Sequence, residues 1–494
     1  MRNFTAVLVC MLWLANAYGQ EQSNTTSAQL SQKFSELFRS YHSNGLFEGT
    51  ALVADSSGIV YHQSFGIANH DYGIPNDSNT VFRMGSLEKQ FTAMLTLQLI
   101  EKGKLSFQGK ISDYLPKYRK STGQRVSIEH LLTHTSGLPS YTALPNVWDD
   151  SLQLAYQPEY VLQKFCSRDL EFTPGTKYKY SNTNYFILAQ ILQQVSGRSL
   201  SDLLKENILD LAGMHQTGLD DSRMPLKHRA TGYYNLARTY VAGPYIYTPN
   251  TIGAASIYST AMDMYRWDRV LYTNTLLTGP GMQAYCSPHV SVSPGYSYGY
   301  GWEFTRTPLG VHDTIETMQH SGAIRAFRAI IFRVPKEKKC LILLSNSANQ
   351  SGYDLFDEVM RIFRGNSFRQ PKRLLADTLY TIMERASIEE AERAYKDLKK
   401  NDSARYEYGR QPLEFLAERL MAFGRNKEAI AVFALALEED PGYFAAYYYM
   451  GKAYEGLGKV KEAIRMYEMA VAKGKQSRAA TDAAFQIRYL RTLQ

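Results

Sequence analysis

Strand signals in this chain fall into two clusters at opposite ends of one long segment. Thr50–Ala54 and Ile59–Phe65 flank the turn sequence Asp55-Ser56-Ser57-Gly58 and read as a β-hairpin. Thr314–His320, Ala326–Val334 and Cys340–Ser345 form the second cluster, joined by short turns. Together they predict a single antiparallel sheet assembled from both ends of a domain. Between them, from about 105 to 280, the signals are mostly helical, broken by loops such as Ser136-Gly137-Leu138-Pro139 and Thr173-Pro174-Gly175. The expected fold class is α+β: an antiparallel sheet flanked by helices, an all-helical subdomain beside it, and a binding cleft between the two. Ala28–Ser43, apolar at Leu30, Phe34, Leu37, Phe38 and Tyr41, is an amphipathic helix ahead of the sheet.

Beyond about Arg369 the strand signals stop. Ala429, Phe433 and Ala436 recur as Ala463, Tyr467 and Ala470, each pair 34 residues apart, and Leu416-Ala417 matches Met450-Gly451 at the same offset. Pro441 closes the first unit, and Leu374–Asn401 reads as a degenerate helix pair ahead of it. This period resembles tetratricopeptide repeats, which implies an all-α repeat domain with interaction rather than chemistry as its role. An ordinary helical bundle is the alternative. The repeats are expected to keep their own core.

Residues 1–19 carry Arg2, the apolar run Phe4–Leu14 and then small residues, the pattern of a secretory signal peptide. Cys10 lies inside the apolar run with no small residue before it, which argues against a lipoprotein. The expected division is therefore signal peptide 1–19, catalytic domain 20–368 and repeat domain 369–494, with the mature protein periplasmic or secreted and without a membrane span. The net charge of +8 is spread evenly: 22 Lys+Arg against 18 Asp+Glu from Arg369 onward, 33 against 29 before it. With no basic stripe, nucleic acid is not an expected partner. Cys166, Cys286 and Cys340 are odd in number and lack metal-ligand spacing; one disulfide is compatible with them, and Cys340 in an apolar run reads as core.

Chemistry enters at Gly85-Ser86-Leu87-Glu88-Lys89. A glycine turn runs into an apolar stretch (Leu87, Phe91, Met94, Leu95, Leu99), a buried helix beginning near Ser86 and ending at Glu101-Lys102-Gly103-Lys104. Ser86 and Lys89 stand one turn apart on one face. A lysine whose ammonium is disfavoured by burial can take the proton of a serine hydroxyl, and a helix N-terminus supplies N–H groups for a developing oxyanion. Glu88, inside this box, reads as a solvated helix residue. Tyr180-Ser181-Asn182 follows a Pro-Gly turn and precedes a helix; its phenol can share a proton, and its amide can bond both lysine and substrate. His320-Ser321-Gly322 ends a strand, where a glycine admits substrate backbone and leaves the Ala323 N–H to face an oxyanion.

In this order, Ser86-x-x-Lys89, Tyr180-x-Asn182 and His320-x-Gly322 resemble the serine β-lactamase and penicillin-binding-protein superfamily, closest to its class C-type branch of D-alanyl-D-alanine carboxypeptidases, amidases and esterases. His130–Leu138, Gly253–Asp268 and Tyr298–Trp302 resemble family segments as well, so the likeness spans roughly residues 30–365. It implies an acyl-enzyme on Ser86, proton traffic shared by Lys89 and Tyr180, an oxyanion hole from the amides of Ser86 and Ala323, and substrate orientation by Asn182 and His320. It implies no metal or organic cofactor. Histidine in the third motif, where β-lactamases carry lysine, argues against efficient antibiotic hydrolysis.

The expected function is an exported serine hydrolase of peptide, amide or ester bonds, with D-alanyl-D-alanine carboxypeptidase-like action on cell-wall peptides or a small-molecule substrate as the first choice. A carboxylesterase on the same scaffold is one alternative. A non-catalytic binding protein working through its repeats is the other. Arg325, three residues past Gly322, is a candidate reader of a substrate carboxylate, weighed against a solvated strand-end residue. A protein partner is expected at the repeats.

Overall fold

The computed structural model describes residues 26–144, 146–148, 151–308, 314–348, 351–474 and 477–492. The signal-peptide expectation and Cys10 lie outside them. In chain order the main elements begin with α1 (Ser27–Ser43), β1 (Gly49–Asp55), β2 (Gly58–Phe65), α2 (Glu88–Glu101), α3 (Asn182–Ser196), β3 (Tyr233–Leu236), β4 (Thr239–Ala242) and α4 (Ala261–Val270). Then come β5 (Val290–Ser293), β6 (Tyr296–Tyr298), β7 (Glu303–Pro308), β8 (Thr314–Ile324), β9 (Phe327–Val334), β10 (Lys339–Ser345) and α5 (Gly352–Phe363). The chain continues through α6 (Leu375–Arg385), α7 (Ile388–Asn401), α8 (Arg410–Ala422), α9 (Asn426–Glu439), α10 (Ala445–Gly456), α11 (Val460–Gly474) and α12 (Arg478–Thr492).

One antiparallel sheet runs in the order β5-β6-β7-β8-β9-β10-β1-β2. The N-terminal hairpin joins the C-terminal strands through β1 and β10, with Leu52 opposite Ile342. This is the closure the two strand clusters predicted. Alternation along a strand sends neighbours to opposite faces. In β1, Leu52 and Ala54 enter the core beneath α2–α4, while Ala51 and Val53 enter the core beneath α1 and α5. In β10, Ile342 and Leu344 go one way and Leu341 and Leu343 the other, which is why that strand reads as an unbroken apolar run. Each such side chain, fully buried, contributes on the order of 1.5–3 kcal/mol.

Three features depart from expectation. The short edge strands β5–β7 were not expected: β5 alternates Val and Ser over only four residues, β6 is three residues long, and β7 is polar apart from Phe304 and Pro308. The stretch read as mostly helical also contains the β3–β4 hairpin. Cys166, Cys286 and Cys340 are free thiols, so no disulfide forms among them.

The C-terminal helices α6–α12 form antiparallel pairs as the 34-residue period implies, but they do not keep their core to themselves. Leu236 of β3 belongs to the apolar core of α6–α10. Arg419 of α8 donates to the Ala348 carbonyl (2.8 Å) and stacks over Tyr234 of β3. Asp377 of α6 accepts from the Ala237 amide (2.8 Å), and Gln486 of α12 bonds Asn146 (2.5 Å). The hairpin is thus clamped between sheet and repeats. Among the described residues no helix is long and apolar enough to cross a membrane.

Candidate active site

The nucleophile turn is a 3-10 turn, Gly85–Leu87, feeding directly into α2. Gly85 holds φ +54°, and a Cβ there would stand 2.7 Å from the Ala323 amide nitrogen. Gly322 is tighter still: a Cβ would stand 1.9 Å from the Met84 carbonyl oxygen. Both glycines let β8 press its backbone onto the turn that carries Ser86. Gly322, expected to admit substrate backbone, faces the turn that carries Ser86. Ala323, exposed, is left at the mouth beside Ser86.

Every residue of α2 from Glu88 to Leu99 is buried, so the helix is enclosed on all sides rather than amphipathic. Lys89 is fully buried, with Nζ 2.7 Å from Asn182 Oδ1, 2.8 Å from the Ala254 carbonyl and 3.1 Å from Ser86 Oγ. Burial pulls its ammonium down to about 7, against the opposing attraction of Glu88. A neutral amine has two N–H donors and one lone pair. With the donors given to Asn182 and Ala254, the lone pair is left for the Ser86 hydroxyl.

Glu88 is not solvated. Its carboxylate accepts from the amides of Gly253 (2.6 Å) and Ser256 and from the Ser256 hydroxyl (3.0 Å). Burial pushes it up, while those bonds and Lys89 draw it down. It ties the loop that presents the Ala254 carbonyl to the helix that presents Lys89. The expectation failed because a charged residue among apolar ones was assigned to a solvent face that α2 does not have.

Tyr180 sits in the extended approach to α3, its ring centroid 4.9 Å from Lys89 Nζ and its hydroxyl on the Ser86 side. Burial holds the phenol well above its ordinary range, so it is a neutral hydroxyl rather than a phenolate. At the start of α3, Asn182 accepts from Lys89 and spends one N–H on Thr142 Oγ1 (2.8 Å). His134, noted in sequence only within a family-like stretch, holds this loop. Its carbonyl accepts from Lys179 N (2.9 Å), its Nδ1 from Ser181 N (3.2 Å), and its ring lies 4.3 Å from that of Tyr180. A φ of +58° at a histidine was the feature no sequence pattern announced.

His320 is buried, and both ring nitrogens are engaged: Nδ1 donates to the Ser321 carbonyl (2.7 Å), and Nε2 accepts from the Tyr298 hydroxyl (3.3 Å). Burial and the nearby Lys89 pull it to about 3, so it carries no charge. Arg325, at φ +50° in the β8–β9 turn, is buried too. Its Nη2 donates to the Trp148 carbonyl (2.6 Å), and its guanidinium stacks on that indole (4.9 Å). It is therefore not the solvated strand-end residue of the bland reading. Ser86, Lys89 and Asn182 are joined by hydrogen bonds, the rings of Tyr180 and His320 lie 6.2 Å apart beside them, Gly322 and Ala323 press on the turn that carries Ser86, and Arg325 lies two residues further along the chain.

An antiparallel sheet joined from both ends of the domain, a half-buried Ser86 paired with a buried Lys89 at a helix start, and a tyrosine facing them define a serine hydrolase. Residues 30–360 match the β-lactamase family, and the chain belongs to it; residues 420–483 match a tetratricopeptide repeat. Among its relatives, penicillin-binding protein 4* of Bacillus subtilis strain 168 is 31% identical over 355 residues, covering 68% of this chain and 77% of that protein. The D-aminopeptidase of Gluconobacter oxydans strain 621H is 26% identical over 326 residues, 66% of this chain and 60% of that protein. The crystal structure of a penicillin-binding protein from Bacillus halodurans superposes with a TM-score of 0.58 at 28% identity, covering 67% of this chain and 98% of that one.

Proposed function

We propose that this serine hydrolase is exported and acts as a D-alanyl-D-alanine carboxypeptidase-like enzyme on cell-wall peptides through an acyl-enzyme at Ser86. The observation that carries the mechanism is the buried Lys89 Nζ at 3.1 Å from Ser86 Oγ, its other contacts taken by Asn182 and the Ala254 carbonyl. Lys89 takes the hydroxyl proton as Ser86 attacks the carbonyl; Tyr180, a neutral phenol, passes its proton to the departing amine and regains one from the Lys89 ammonium. Water then cleaves the Ser86 ester, releasing the acid and returning a proton to Ser86. The amides of Ser86 and Ala323 hold the oxyanion. Asn182 orients Lys89 and offers its remaining N–H to substrate, while His320 positions Tyr298 against the Tyr180 side of the cleft. The substrate class is supported by relatives named for penicillin binding and for D-amino-acid peptides. Export is supported by the signal-like residues 1–19. A protein partner at the repeats belongs to the same reading.

A carboxylesterase on this scaffold is favoured by one observation: His320 is uncharged and Arg325 is engaged with Trp148, so neither offers an open cation to a substrate carboxylate. The two readings separate by incubation with a penicillin and with a fluorophosphonate, followed by mass spectrometry, and by assay of D-alanine release from a D-alanyl-D-alanine peptide. Adducts on Ser86 from both reagents, with D-alanine released, are expected. Ester hydrolysis with a fluorophosphonate adduct but neither a penicillin adduct nor D-alanine release establishes the esterase instead.

The pH dependence follows from Lys89. Only the unprotonated amine accepts the serine proton, and burial places its titration at about 7. The acylation rate, measured by stopped flow, should rise with pH through about 7 and then level off. A rate flat from pH 5 to pH 9, on the order of two units either side of neutrality, rules Lys89 out as the base.

A further inference from the structure

We infer that the repeat helices complete the substrate cleft and that Arg328 and Arg419 together bind a carboxylate on the acyl side of the substrate, away from the bond that is cut. This rests on Ser86 being the acylated residue. A cavity of about 840 Å³ opens beside the site and runs to α10, lined by Thr142, Trp148, Arg328, Glu418, Arg419 and Tyr448 among others. Its lining is tied to the residues around Ser86 at two points. Thr142 accepts from Asn182, which holds Lys89, and the β8–β9 turn leads from Ala323 to Arg328.

The two guanidiniums come from different regions of the chain, β9 and α8, and line the same cavity. Arg328 donates only to the carbonyls of Arg325 (3.1 Å) and Phe327 (2.9 Å), and Arg419 to the carbonyl of Ala348. Among the described residues neither forms an ion pair. Arg419 is buried, its Nε has no hydrogen-bond partner, and it is fixed between the rings of Tyr234 (5.0 Å) and Phe415 (4.4 Å). Burial and the charge of Arg328 pull Arg419 down to about 10, so the two cations oppose each other as they stand. An anion between them removes that opposition, and guanidinium donors match a carboxylate with paired hydrogen bonds. Glu418 lines the same cavity and works against an anion; burial and Glu414 push its carboxyl toward the neutral form against the pull of Arg419 and Arg328.

The test uses the full chain and two fluorophosphonates with tails of equal length, one ending in a carboxylate and one in a carboxamide. The ratio of their rates of Ser86 labelling is followed by mass spectrometry. In wild type the ratio should favour the carboxylate by about tenfold. Arg328→Gln should bring it close to one, and Glu418→Gln should raise it above wild type. Opposite changes from two neighbouring substitutions cannot come from misfolding. A wild-type ratio near one, with Ser86 labelled by the carboxamide reagent, overturns the anion site and leaves the serine mechanism standing. No labelling by either reagent overturns both.

Discussion

Ser86→Ala removes hydrolysis by a factor on the order of 10³ or more in kcat and leaves the melting temperature where it was. The serine Oγ is the atom that Lys89 faces at 3.1 Å, whereas its methylene packs little that a methyl would not. Lys89 keeps its two stronger partners, Asn182 at 2.7 Å and the Ala254 carbonyl at 2.8 Å, so the buried amine is not stranded by the substitution. Steady-state kinetics with a thermal melt provide the check. Turnover near wild type would assign the nucleophile elsewhere and remove the mechanism proposed above.

Gly322→Ala should cost about 10²-fold in kcat/KM although it touches no reacting group. The added methyl would stand 1.9 Å from the Met84 carbonyl oxygen and 2.9 Å from Leu87 Cδ1, so β8 and the nucleophile turn must separate. The methyl meets backbone, which cannot swing aside as a long side chain can. Separation moves the Ala323 amide away from Ser86, and a hole built for an oxyanion tolerates displacements well below 1 Å. Overpacking of this kind also destabilises by about 1–3 kcal/mol. A variant with wild-type kcat/KM and an unchanged melt would show that the turn relaxes without moving the site.

Much of this protein was legible in its sequence because the signals were local. Hairpin and turn residues, a serine three positions before a lysine at an apolar helix start, and a 34-residue recurrence of small residues each depend on neighbours along the chain. The joining of β1 to β10 was legible as well, since strands at both ends of one segment have few other partners. The short strands β5–β7 were not, because β5 and β6 span only four and three residues and β7 is mostly polar, too little alternation to stand out.

By itself, then, the sequence determined which chemical groups are present, in what order, and on which kinds of element. The tertiary structure decided their protonation and their company. Glu88 reads as a surface carboxylate until α2 is seen enclosed on all sides, with the loop at Gly253–Ser256 bonded to it. His320 reads as a substrate ligand until Tyr298 and the Ser321 carbonyl claim its nitrogens. Arg328 and Arg419, far apart in the chain, line one cavity only because the repeats share Leu236 of β3 in their core. The physical reason is the same in each case. Desolvation and the sharing of a hydrogen-bond partner depend on every element that packs around a group, and those elements come from distant parts of the chain.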